Sequence, residues 1–185
     1  VADVDRIKHA ALRAKAEVDD GNQVVVVVSA MAGVTNKLID FTNQMGSLMD
    51  SKEYDVIVSS GEQSNAGLMA LALQNLGIQA RSLLGWQVPI QTDNVHGKAR
   101  ISGVDKENIL ESLKASEVAV VPGFQGISPD NRVTTLGRGG SDLTAVALAG
   151  TLRADRCDIY TDVDGIYTSD PRIVTRAQKM DRITY

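Results

Sequence analysis

Gly137-Arg138-Gly139-Gly140-Ser141-Asp142 packs the most chemistry into the fewest positions of this 185-residue sequence. Glycines let an anion approach the backbone closely, because no Cβ stands in the way. Arg138 adds a planar, forked cation whose donors match a carboxylate or a phosphate. The β-branched run at 133–136 predicts a strand before the turn. Helical spacing over 143–152 predicts a helix after it, with Ser141 or Asp142 as the expected N-cap. Strand, glycine turn and helix N-terminus together make a place where backbone N–H groups and the helix dipole favour negative charge. A glycine turn alone is weak evidence, since many strand-to-helix connections have one. An Arg inside the turn and an Asp at its end shift the balance towards a ligand.

Three further stretches hold candidate groups. Glu62 falls on a helix expected over about 54–75 that is otherwise lined with small and apolar residues, where a carboxylate is rare unless paired. Gly61 and Gly67 are expected to let a neighbour approach that helix. The small-residue turn Ser29-Ala30-Met31-Ala32-Gly33-Val34-Thr35-Asn36 follows a run of valines and lies at a strand's carboxyl end, where ligands of open α/β sheets bind. The loop from Thr161 to Arg172 is dense in turn residues and holds Asp162, Tyr167 and two further hydroxyls. That set could hold a purine and ribose while Arg172 reaches phosphate. His96 has no partner at metal-ligand or catalytic spacing and is expected to be a surface or supporting residue. Trp86 is expected to pack.

The elements that must carry these groups alternate between strand and helix. Asp3 caps an expected helix over 4–18, and the valine run at 23–29 suits a strand covered on both faces. A helix is expected over about 36–45, strands over 80–84 and 117–122, and an amphipathic helix over 106–115. A last strand is expected at 156–161, with Cys157 buried in it. There is no repeat, low-complexity tract or linker. The pattern predicts an α/β fold, with a mostly parallel sheet between helical layers.

Composition narrows the class. Hydrophobic residues make up 43% and charged residues 23%, ordinary for a globular protein. The net charge of −4 and the absence of a Lys/Arg cluster argue against a nucleic-acid surface. No apolar run approaches the length of a membrane span, and no stretch reads as a signal peptide. A single cysteine rules out an internal disulfide and suits a reducing cytoplasm.

Four segments, in order along nearly the whole chain, resemble the catalytic domain of the aspartokinases, within the amino-acid-kinase fold. They are Ser29 to Asn36, Ser60-Gly61-Glu62-Gln63, Thr135 to Asp142 and Thr161 to Arg172. The last is shared with relatives such as glutamate 5-kinase and uridylate kinase; the second and third are more particular to aspartokinases. Ser64 and Asn65 depart from the residues expected after Gly-Glu-Gln.

The resemblance implies a three-layer αβα sandwich. It also implies transfer of the ATP γ-phosphoryl group to the β-carboxylate of L-aspartate, with Mg²⁺ as the partner of ATP. Arg138 would hold a substrate carboxylate and Glu62 the substrate ammonium. Ser29, Thr35 and Ser141 would line the aspartate and phosphate region, and Asp142 would organise the catalytic cations. Gly139 and Gly140 would meet the nucleotide's phosphates, and Thr161, Asp162, Tyr167 and Arg172 the rest of it. The family's pattern also includes a first strand with a Lys-bearing glycine loop, a later Lys segment and regulatory ACT domains. On this reading the chain lacks both ends of the domain, and a protein starting at Val1 is expected to turn over negligibly. A cytoplasmic homo-oligomer serving lysine, threonine and methionine biosynthesis is implied. Two alternatives stay open: a non-catalytic ligand-binding or regulatory fragment, and a kinase for another acidic amino acid such as glutamate.

Overall fold

Asp3 opens the first helix as expected, its side chain accepting the Arg6 N–H at 2.9 Å. In the computed structural model, which describes residues 3–47, 50–161, 165, 167–169 and 173–180, the elements follow in order. They are α1 (Val4–Asp19), β1 (Val25–Val28), α2 (Val34–Gln44), α3 (Ser51–Asn75), β2 (Ala80–Ser82), β3 (Ile90–Thr92), β4 (Ile101–Val104), α4 (Glu107–Lys114), β5 (Val118–Pro122), β6 (Gln125–Ile127), β7 (Val133–Thr135) and α5 (Gly140–Leu152).

The central strand explains the layering. β5 is buried at every position and pairs in parallel with β1 on one side and β2 on the other. Successive side chains of a strand point to opposite faces. Val118 and Val120 accordingly join Ile7, Ala11, Met69 and Leu73 from α1 and α3. Ala119 and Val121 join Ile109 of α4 and Leu148 of α5. Helices therefore cover both faces, and the expected αβα arrangement with a parallel central sheet stands. In β1 the first three valines are only half-buried, because the strand lies at the sheet's edge in the order β1-β5-β2.

A second, four-stranded sheet in the order β4-β3-β6-β7 was not legible in the sequence. Its strands β3 and β6 have three residues each, too short for any period to register. Gly126 sits where Thr92 and Thr134 meet across it, their hydroxyls 2.7 Å apart. A Cβ there would come within 2.4 Å of Thr92 and 2.6 Å of the Ile90 carbonyl.

Three local expectations are corrected. Residues 156–161 form no strand and are exposed throughout; Arg156 instead pairs with Glu17 and Asp158 on the surface. A β-prone segment becomes a strand only by pairing, and among the described residues none pairs with this one. Cys157 is consequently exposed rather than buried. Trp86 is also exposed, at 55%.

Candidate functional site

The site is built where β1 and β5 end side by side. Gly123, just after β5, donates its N–H to the Val28 carbonyl at 2.9 Å, which ties the two strand ends together. The Ser29–Gly33 turn leaves β1 at this point and enters α2 through Gly33, which is left-handed at φ 79° and offers no side-chain cap. α5 begins in the same manner: Gly139 is its N-cap at φ 71°, again with no side-chain cap. Ser141 and Asp142 are thus first-turn residues of α5, not its cap as expected. A left-handed glycine turns the chain sharply enough to start the helix without them. Both helices reach the site with N–H groups that no capping side chain occupies, which suits them to anions.

α3 crosses beneath. Gly61 packs against the turn, since a Cβ there would lie 3.0 Å from Ala30 and 3.2 Å from Val34. Gly67 has no such neighbour, contrary to expectation. Glu62 is 4% exposed and accepts the Ala30 N–H through Oε1 at 3.1 Å. Burial pushes its carboxyl up to about 7, against an ordinary 4.5, with the Ala30 N–H opposing part of the rise. One turn on, Asn65 donates to the Ser29 carbonyl at 2.5 Å. Glu62 Oε2 and Asn65 Oδ1 are both buried with no hydrogen-bond partner among the described residues. Two acceptor atoms so placed suit a donor-rich cation.

The glycine turn meets this region through Ser141 and Gly140. Ser141 lies against Gly123, and Gly140 against the Phe124 ring. Phe124 is itself left-handed, at φ 68°, an unfavourable conformation for an aromatic residue. Its N–H donates to Thr144 Oγ1 at 3.2 Å and its carbonyl accepts the Leu136 N–H at 2.9 Å. Gln125 braces the turn from behind, donating to the Ser59 and Gly123 carbonyls and accepting from Gln63 at 3.0 Å. Gly123→Ala is therefore expected to fail structurally. The new Cβ would stand 2.7 Å from the Ser141 side chain and 2.8 Å from its Cα. Overpacking of this kind costs about 1–3 kcal/mol. Urea unfolding checks the loss, and a variant as stable as the wild type would mean that α5 can shift freely.

Of the expected residues, Ser29, Glu62, Gly140 and Ser141 are thus linked through the turns around Gly123. Thr35 lies in the first turn of α2, half-buried, and Gly139 and Arg138 are exposed on the glycine turn, with Asp142 exposed beside them. Thr161 is exposed on the segment after α5, and Tyr167 forms an isolated antiparallel bridge with Lys179. Asp162 and Arg172 lie outside the described residues. Two groups escaped the sequence reading, Gln125 and the buried Asp55, and Asn65 stood out there only as a departure from the family's pattern. Asp55 precedes Glu62 by two helical turns on the face lined by Ser59, Ala66 and Met69, and that spacing was the available signal.

A parallel sheet between helices, with glycine turns and uncapped helix N-termini gathered at its strand ends, defines an α/β protein whose strand ends suit anions. The model of the amino acid kinase family matches residues 1–185, and the chain belongs to that family. It is 51% identical over its whole length to the aspartokinase of Rickettsia bellii, of which it covers 46%. It is likewise 51% identical to an aspartate kinase of Stutzerimonas stutzeri, covering 45% of that protein. The chain therefore spans a little under half the length of these curated relatives. Its fold superposes on the aspartate kinase of Synechocystis with a TM-score of 0.79 at 45% identity, covering 96% of this chain and 29% of the other. On E. coli aspartokinase III in complex with aspartate and ADP the TM-score is 0.80 at 29% identity, covering 97% of this chain and 51% of the other. No described helix is long and apolar enough to cross a membrane.

Proposed function

We propose that this chain forms the phosphoryl-transfer site of an aspartate kinase. The observation that carries the reading is the pair of buried, unpartnered acceptors, Glu62 Oε2 and Asn65 Oδ1, beside helix N-termini suited to anions. An α-amino acid brings an ammonium for the first and carboxylates for the second. The likeness to aspartokinases supports the same assignment.

On this reading Glu62 ionises against the substrate ammonium, and Arg138 grips the α-carboxylate. Ser29, Thr35 and Ser141 line the space between aspartate and phosphate. Gly139 and Gly140 admit the phosphates to the α5 N-terminus. Thr161, Asp162, Tyr167 and Arg172 serve the nucleoside end. The β-carboxylate oxygen forms a bond to the γ-phosphorus while the bond to the β,γ-bridging oxygen breaks, and ADP leaves with the electron pair. A carboxylate with a reference pKa near 4 is already ionised at neutral pH, so no general base is required. The site's task is to align two anions and offset their repulsion.

Among the described residues no cluster of three or more His, Cys, Asp or Glu could hold a metal ion. Mg²⁺ would arrive on the nucleotide, since it binds proteins through one or two carboxylates and the substrate's phosphates. Asp142 is the carboxylate that would meet it, and the ion would supply charge neutralisation. A cytoplasmic homo-oligomer with ACT domains, feeding lysine, threonine and methionine synthesis, belongs to the same proposal.

ATP-dependent hydroxamate formation by the full-length protein, across a panel of acidic amino acids, tests it. Aspartate is the expected substrate. Turnover of glutamate alone would favour the other acidic-amino-acid kinase, and no turnover at all the binding fragment. In the same protein Tyr167→Ala is expected to weaken ATP binding, read by calorimetry, with aspartate affinity unchanged. Unchanged nucleotide binding would make the Tyr167 loop purely structural.

A further inference from the structure

Asp55 is fully buried on α3, yet its carboxylate is saturated with donors. Oδ1 accepts the Thr135 hydroxyl at 2.6 Å. Oδ2 accepts the Thr135 N–H at 3.1 Å and the Gly97 N–H at 3.1 Å. The third neighbour of Oδ2 is His96 Nδ1 at 2.7 Å, with the imidazole 5% exposed. In the tautomer that carries its proton on Nδ1, His96 is a further donor to Oδ2. These donors come from the end of β7 and from the loop after β3, both far from Asp55 in sequence. The Ala99 N–H also donates to the Thr135 carbonyl at 2.9 Å, closing the tie between that loop and β7.

Thr135 is the last residue of β7, and the glycine turn begins two residues later. Gly137 is left-handed at φ 80°, and a Cβ on it would lie 3.5 Å from the Gly97 carbonyl. The Gly97–Lys98 backbone is therefore the floor on which the turn rests. We infer that Asp55 and His96 are positioning residues, which hold the end of β7 and the Gly137 turn so that Arg138 is presented at a fixed place. The kinetic part of this inference rests on the aspartate-kinase reading; the structural part does not. Two of the donors are backbone N–H groups that cannot reverse their role, so Oδ2 must stay an acceptor. A histidine is suited because its Nδ1 sits close to its own backbone and can share an oxygen with the next residue's N–H.

The test uses the full-length protein with His96→Ala, His96→Asn, Thr135→Val and Thr135→Ser. An asparagine amide nitrogen can take the place of Nδ1, and serine keeps the hydroxyl. Amide hydrogen exchange of residues 136–140 is expected to quicken by about 10-fold or more in His96→Ala and Thr135→Val, in the range of local opening. His96→Asn and Thr135→Ser should return it to within about 2-fold of the wild type. In steady-state kinetics His96→Ala should raise the aspartate KM by about 5-fold or more, as for a lost contact to a charged group. The ATP KM should stay within about 2-fold, and His96→Asn should rescue. Exchange at 136–140 unchanged in both disruptive variants overturns the inference, as does an equal rise of both KM values. If the wild type shows no aspartate-dependent turnover, the kinase reading falls and the exchange arm alone decides on the positioning role.

Discussion

Replacing Arg138 with alanine is expected to raise the KM for aspartate by about 30-fold or more and to leave the KM for ATP within about 2-fold. Truncating one side of a desolvated charge pair costs about 2–5 kcal/mol, and 2 kcal/mol is roughly 30-fold in affinity. Arg138 is exposed, so the variant loses little stability and the effect should appear in kinetics rather than in folding. The selectivity follows from geometry. Arg138 sits on the turn before Gly139, while the phosphates have the N–H groups of α5 as a separate source of donors. Steady-state kinetics with each substrate varied in turn makes the measurement. Equal losses for both substrates would make Arg138 a phosphate ligand.

Glu62 should give the molecule a pH signature. Its carboxyl is pushed up to about 7 by burial, whereas in the unfolded chain it ionises near 4.5. Between those values the folded state holds the proton more tightly. The stability this confers is fully present below about 4.5 and is lost as pH rises through about 7. Above that, the ionised and buried form costs about 3 kcal/mol relative to the acid limit. Glu62→Gln keeps the shape and cannot ionise. Without ligand it is expected to be more stable than the wild type by about 1–3 kcal/mol at pH 8, with the advantage vanishing near pH 5. Paired urea titrations across that range check this. A constant difference would mean that Glu62 already has a cationic partner. Aspartate binding should show the converse. Its ammonium favours the ionised form, so wild-type affinity should rise as pH rises through about 7. Glu62→Gln should bind about 30-fold or more weakly and lose that slope.

The sequence by itself determined what is local. Asp3 caps α1, the valine run at Val25–Val28 and the segment Val118–Pro122 are strands, and Gly137–Gly140 turns a strand into a helix. Each depends on neighbours within a few residues: a carboxylate reaching an amide, β-branched side chains in extended backbone, glycine tolerating positive φ. Burial on both faces of Val118–Pro122 was also legible, because a strand apolar on both sides must be covered on both. The candidate residues at 29, 62 and 138–142 were legible for the same reason, as reactive types in unusual local settings.

Only the tertiary structure decided which of these settings meet. Residues 156–161 have strand-forming composition but, among the described residues, no strand to pair with, and pairing is a property of two segments. Asp55 reads as one more acid on a helix until Thr135, 80 residues on, supplies two donors and the loop at 96–97 supplies two more. The sequence offers no sign that Ser141 will press on Gly123, or that Glu62 will reach Ala30 and keep one oxygen unpartnered. A carboxylate's role depends on its donors and on the water it has lost, and both are set by chain segments that are distant until the sheet brings their ends together.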